Sequence, residues 1–198
     1  MRSIVKANPY KYFKQVIIFF IVLTIFLIIL KKNTSMTLGE LFNPKLKKIE
    51  GKVNHFMEQG FNINITYLFY KGTQKDIQKN IEVFEEIINY LDDKYEDEKN
   101  IYKRGKVSVK LIQMGNNPIE RLQNFTKLLN YAFSKNIFIW ISAFHHKEIH
   151  EERDTYIYLK ERGYSNLGIT IACYHENVDN YVNYILSKGG NIRLVKGY

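Results

Sequence analysis

Residues 167 to 198 read LGITIACYHENVDNYVNYILSKGGNIRLVKGY, and the changes of hydrophobic pattern within this stretch decide the fold class. LGITIAC (167 to 173) is a short apolar run rich in β-branched residues, as expected of a strand buried on both faces. Residues 177 to 188 then read as a helix that ends at Gly189, the usual place for glycine just past a helix. NIRLV (191 to 195) returns to strand, with Arg193 and Lys196 flanking Leu194 and Val195 and with Gly197 directly after. A strand, a helix and a strand of this length form a βαβ unit. Its last strand delivers charged groups to its carboxyl end rather than trailing off as a polar tail.

Working outward, the same alternation recurs. INITYLFY (63 to 70), KVSVKLIQM (106 to 114) and IFIWISA (137 to 143) are further strands. Ile77, Ile81, Phe84, Ile88 and Leu91 recur at helical steps, so residues 74 to 93 bury one face. Pro118 stands at the first position of a helix whose apolar stripe is Leu122, Phe125, Leu129, Ala132 and Phe133. Residues 151 to 162 form another helix, ended by Gly163. The order is βαβαβαβαβ, which argues for right-handed crossovers and a parallel sheet. Two architectures satisfy it: an open doubly wound sheet or the first half of a (β/α)8 barrel, a complete barrel needing about 250 residues. YKGTQKD, after the first strand, has a single glycine and forms neither common phosphate-binding loop.

Charge is unevenly placed. The 198-residue chain carries a formal net charge of +9. Residues 1 to 60 hold ten Lys or Arg and three Asp or Glu, a balance of +7 that leaves +2 for residues 61 to 198. A basic groove for nucleic acid needs clustered cations on the folded part, so no nucleic-acid partner is expected. The front of the chain instead reads as a basic segment (1 to 15), an anchor (16 to 32) and a connector with one short helix (33 to 60), ahead of the folded region at 61 to 198. VIIFFIVLTIFLIIL (16 to 30) is uncharged and close to the length of a membrane span. A cleaved signal peptide shares the basic front and apolar middle, but Lys31-Lys32-Asn33 replaces the small-residue cleavage site, which favours an uncleaved single-pass anchor. Lysines on both sides leave its orientation open. Of three glycosylation triplets, at Asn33, Asn64 and Asn124, only the first lies outside the periodic elements.

Cys173, the single cysteine, excludes an internal disulfide and reads as a small buried side chain. The histidine-rich HHKEIHEERD, with its His145 to His150 cluster, would align His146, His150 and Asp154 on one helix face, a pattern able to hold a divalent metal. Lys147 stands where a metalloprotease motif has Glu, so no metal ligand is assigned.

In both architectures chemistry belongs at the carboxyl ends of the strands. Those ends carry Lys110, then Ser142 and Phe144, then Tyr174 and His175, then Arg193 and Lys196. Here NIRLVKGY resembles the fifth-strand signature of the FAD-dependent proline dehydrogenase barrel, in which Arg-Leu-Val-Lys-Gly is followed by Ala-Tyr. The preceding NLGITIACYHENVDNYVNYILSKGG is similar in spacing to that family's fourth strand and helix. VSVKLIQMG resembles its second strand, with Lys110 where the family has a lysine beside the substrate. The resemblance implies an α/β fold, a partial (β/α)8 barrel of about five units, with FAD as cofactor and proline as substrate. It implies that Arg193 and Lys110 are the catalytic positions, and that Arg193, Lys196, Gly197 and Tyr174 are the cofactor-binding ones. A guanidinium beside the flavin stabilises charge that develops on reduction, and a lysine is a point charge for pyrophosphate.

The chain also departs from the family. Ser142 and Phe144 stand where the third strand has Asp and Glu, and Ala172 stands where the fourth has a flavin-bonding Gln. The later strands and the final helix have no counterpart up to Tyr198. The expectation is a membrane-anchored relative impaired in proline oxidation, with two alternatives: a tethered interaction module, whose open first and fifth strands invite a second copy or a complementing chain, or a metal-dependent enzyme using the histidines.

Overall fold

The computed structural model describes residues 44–68, 72–142, 148–174 and 176–196. The expected basic segment and anchor, residues 1 to 32, lie outside these residues. Among the described residues no helix is long and apolar enough to cross a membrane. In chain order the elements are α1 (Pro44–Glu58), β1 (Asn64–Thr66), α2 (Gln74–Lys94), β2 (Lys106–Val109), a 3-10 helix (Leu111–Met114), α3 (Pro118–Ser134), β3 (Phe138–Ile141), α4 (Ile149–Glu161), β4 (Leu167–Ala172), α5 (Val178–Ser187) and β5 (Ile192–Val195).

The sheet has the order β1-β2-β3-β4-β5 and every pairing is parallel. A doubly wound sheet reverses its strand order at a switch point. This one never does, so the winding is that of a barrel. Crossovers of one hand that always step the same way set every helix on one side of the sheet. That side is the core: Val107, Val109, Ile139, Ile141, Leu167 and Ile169 meet Phe84, Ile88 and Leu91 of α2, Phe125 and Leu129 of α3, and Tyr156 and Leu159 of α4, all buried.

Local chemistry fixes the helix ends. Thr73 and Asp76 form a reciprocal capping box at the start of α2. Asn117 accepts from the Glu120 amide ahead of Pro118. Gly163 and Gly189, at φ 90° and 64°, take the left-handed position just past α4 and α5.

Three expectations change. The first strand spans only residues 64 to 66, because the Tyr67 carbonyl accepts from the Gln113 side chain at 2.8 Å instead of continuing the ladder. The second strand stops at Val109, where Gln113 Oε1 accepts from the Lys110 amide and a 3-10 turn buries Leu111 and Met114 one turn apart. On α3 the stripe runs through Leu128 rather than Phe133, which is exposed because it lies further round the helix than the Phe125, Leu129, Ala132 line.

Candidate functional site

The face of the sheet turned away from the helices mixes polar side chains with aromatic ones, Phe138 and Trp140 lying 5.0 Å apart on it. Register puts Ser108 beside Trp140, Trp140 beside Gly168, and Thr170 beside Arg193, so these residues share that face. A Cβ on Gly168 would come within 2.4 Å of the Trp140 ring, so the glycine is what lets the indole lie flat on β4. Arg193 Cζ in turn sits 5.3 Å from the centre of that ring.

Arg193 ties the face together. Its Nε donates to Thr170 Oγ1 at 3.1 Å and its Nη2 to Ser108 Oγ at 3.1 Å. With the Asn64 amide turned so that both its polar atoms are satisfied, Asn64 Oδ1 accepts from Arg193 Nη1 and from Ser108. These bonds fix the curvature. In a flat sheet β5 and β2 lie three strand spacings, about 14 Å, apart. An extended arginine reaches about 7 Å from its Cα, and the 3.1 Å bond with the serine's own arm brings the span to about 12.5 Å, still short of that distance. The sheet is therefore rolled, with Arg193 crossing its concave side, as in a barrel whose interior side chains fill.

Among the described residues no carboxylate lies within ion-pair distance of Arg193. All its partners are neutral, and burial pushes its pKa down from the usual arginine value. Lys110 differs. Burial lowers its pKa, while the charge of Glu152, a residue 3% exposed on α4, acts in the opposite direction. The surrounding rim is well knit: Asn80 Nδ2 donates to the Gln113 carbonyl at 3.2 Å, Arg121 Nε to the Gly115 carbonyl at 2.9 Å, and Arg121 Nη1 to Glu151 at 2.8 Å.

The other sequence-derived residues spread out. Lys196 is exposed just past β5. Tyr174 is 48% exposed in the turn after β4. Cys173, expected to be buried, is exposed in that same turn, since β4 and its enclosed face end at Ala172. Gly197, Phe144, His145, His146 and His175 lie outside the described residues. His150 and Asp154 fall in α4, where His150 Nδ1 meets Tyr181 Oη at 3.2 Å and Asp154 pairs with Arg153 at 2.6 Å. Among the described residues no three His, Cys, Asp or Glu side chains converge to hold a metal.

Ser108, Trp140, Thr170 and Glu152 were not singled out from sequence, and Asn64 only as part of a glycosylation triplet. Ser108 and Thr170 had a signal, a hydroxyl in the middle of a continuously apolar strand, which calls for a buried partner. Glu152 had none beyond its place in an acidic run.

No protein-family model and no curated protein matches the sequence. Solved structures do match. One is proline utilization A from Bradyrhizobium japonicum, in a D779W mutant form, at 17% identity and a TM-score of 0.58 over 69% of this chain and 16% of that one. Another is proline utilization A from Bdellovibrio bacteriovorus inactivated by N-propargylglycine, at 15% identity and 0.59 over 74% and 18%. The fold is similar to that of part of proline utilization A. At these identities the likeness is one of fold, and the chain spans less than a fifth of the length of either protein. The likeness agrees with the sequential parallel order of the sheet.

Proposed function

We propose that this chain is a membrane-anchored, proline dehydrogenase-like protein whose own residues do not oxidise proline unaided. The observation that carries the reading is the sequentially ordered parallel sheet of a fold similar to the proline utilization A structures. The run at residues 16 to 30 supports the anchor.

The cations suit FAD in charge. Arg193 has no carboxylate partner among the described residues, and Lys196 is exposed beside Gly197, the positions matched to the flavin and phosphate contacts of the family. When bound, FAD would accept a hydride from the carbon next to the proline nitrogen. Arg193 would supply positive charge on the concave side, and Lys196 would hold phosphate at the strand end. Tyr174, exposed beyond β4, lies on the same rim.

The substrate side fits less well. Burial lowers the pKa of Lys110 while the charge of Glu152 acts the other way, so the position matched to the substrate-side lysine already feels a carboxylate of this chain. Ser142 and Ala172 stand where the family has polar side chains that contact substrate or flavin. Each missing contact in an enclosed site costs about 1 to 3 kcal/mol. Their loss supports impairment.

One observation favours an interaction role as well. Leu194, on the outermost strand, and Leu186, on α5, are each 55% exposed, an apolar edge suited to a second copy or a complementing chain. The test is anaerobic dye reduction by the purified full-length chain supplied with FAD and proline. We expect no proline-dependent reduction above the FAD-only control; sustained turnover would overturn the impairment.

A further inference from the structure

Because the strands are parallel, all five begin at one end of the sheet, and the last turns of α2 to α5 return to that amino end. There α3, α4 and α5 finish alike. Each has an exposed aromatic ring in its last turn and a cation directly after its last residue: Phe133 and Lys135, Tyr158 and Arg162, Tyr184 and Lys188. Arg162 Cζ lies 3.5 Å from the centre of the Tyr158 ring, and Lys188 Nζ lies 5.9 Å from that of Tyr184. The three loops that follow, 135–137, 162–166 and 188–191, contain no Asp or Glu. Lys135 pairs with Asp92 at 3.0 Å and Lys188 lies 3.8 Å from Glu161, but Arg162 has no carboxylate within ion-pair distance among the described residues. The loop between α2 and β2, with Glu96, Asp97 and Glu98, bounds this surface on one side.

A cation at a helix C-terminus complements the helix dipole. That accounts for the charges and not for three rings left in water. Rings and cations on one surface are the composition that settles at the headgroup level of a bilayer, where the ring takes the apolar boundary and the cation meets anionic lipid. The first turns of the same helices carry acids instead: Glu120, Glu151, Glu152 and Asp179. An anionic surface therefore attracts the amino end and repels the carboxyl end. Nineteen residues, 31 to 49, separate the apolar run at 16 to 30 from Glu50, a tether of at most about 65 Å when fully extended.

We propose that the amino-end surface of α3, α4 and α5 lies against an anionic bilayer, so that the carboxyl ends of the strands, with Lys110 and Lys196, face the aqueous phase. The inference rests on the membrane-anchored reading and adds to it the face that meets lipid.

The experiment reconstitutes the full-length chain in vesicles of phosphatidylcholine, alone or with phosphatidylserine. A thiol-linked fluorophore is placed on Cys173, exposed at the carboxyl end, or on Ser165→Cys, an exposed position of the 162–166 loop, in a Cys173→Ser background. Lipid with a nitroxide on its headgroup quenches the label it touches. On anionic vesicles we expect quenching of the Ser165→Cys label to exceed that of the Cys173 label several-fold. Arg162→Gln combined with Lys188→Gln should weaken this contact at least about tenfold, each cation at an anionic leaflet being worth about fivefold. Equal quenching at the two positions, stronger quenching at Cys173, or no dependence on phosphatidylserine would overturn the proposal. So would a Ser165→Cys label already shielded from iodide in detergent, which would assign the face to a second copy. Flotation separates the two readings. A chain that floats with neutral vesicles, while its Ser165→Cys label stays unquenched on anionic ones, keeps the anchor and loses the face. A chain that floats only with anionic vesicles, with that label quenched, does the reverse, and one that floats with neither loses both.

Discussion

The two faces of the sheet differ in what holds them. The helix-side face is closed by aliphatic and aromatic side chains: Val107, Val109, Ile139 and Ile141 are each fully buried. The concave face is held by hydrogen bonds that converge on Arg193 from β1, β2 and β4. The first face supplies stability through area removed from water, which tolerates no cavity. The second supplies geometry, because polar groups on a partly enclosed surface must be matched one by one. Fold and chemistry are thus divided between opposite sides of the same five strands.

This division can be broken from either side. The largest effect is expected on the helix side: Phe84→Ala, at a fully buried ring of α2, should cost about 3 to 5 kcal/mol in denaturant unfolding. A loss below 1 kcal/mol would mean that the face is not close-packed. Next is Gly168→Ala, which drives a methyl into the Trp140 ring; a cost of about 1 to 3 kcal/mol is expected, together with a shifted Trp140 emission spectrum.

Glu152→Gln sharpens the contrast between Lys110 and Arg193. Burial sets the folded pKa of Lys110 below its unfolded value, so the unfolded chain binds more protons between the two and stability rises with pH across that interval. Removing the Glu152 charge should lower the Lys110 pKa further and extend the interval downward. The midpoint is read by NMR titration of the Lys110 side chain, and an unchanged midpoint would remove Glu152 as its counter-charge. The smallest effect belongs to the solvent face of α2. Lys79→Ala breaks a half-exposed pair with Glu82 at 3.7 Å and should change stability by no more than about 0.5 kcal/mol.

The alternation of elements was legible because buried parallel strands leave continuous apolar runs, and helices between them leave three- and four-residue steps. The choice between a doubly wound sheet and a barrel was not. Both share one order of elements along the chain, and only the pairing of β1 through β5 in sequence separates them. At the site, Arg193, Lys196 and Lys110 could be named from a local motif at the strand ends. What those cations meet could not. Ser108 is 85 residues from Arg193, and the charge of Glu152 acts on Lys110 from α4, beyond α3 and β3 in the chain. Such pairings depend on curvature, which no short stretch encodes. The strand that was expected to run through Met114 failed for a related reason, since the Gln113 side chain competes for its backbone.

The central claim is that the sheet is rolled tightly enough for β5 to reach β2 through one side chain. A double-mutant cycle between Arg193→Met and Ser108→Ala tests it most directly, measured by denaturant unfolding of the full-length chain. Direct contact between the two side chains predicts a coupling of about 1 kcal/mol. Additive losses, with coupling indistinguishable from zero, would contradict the rolled sheet.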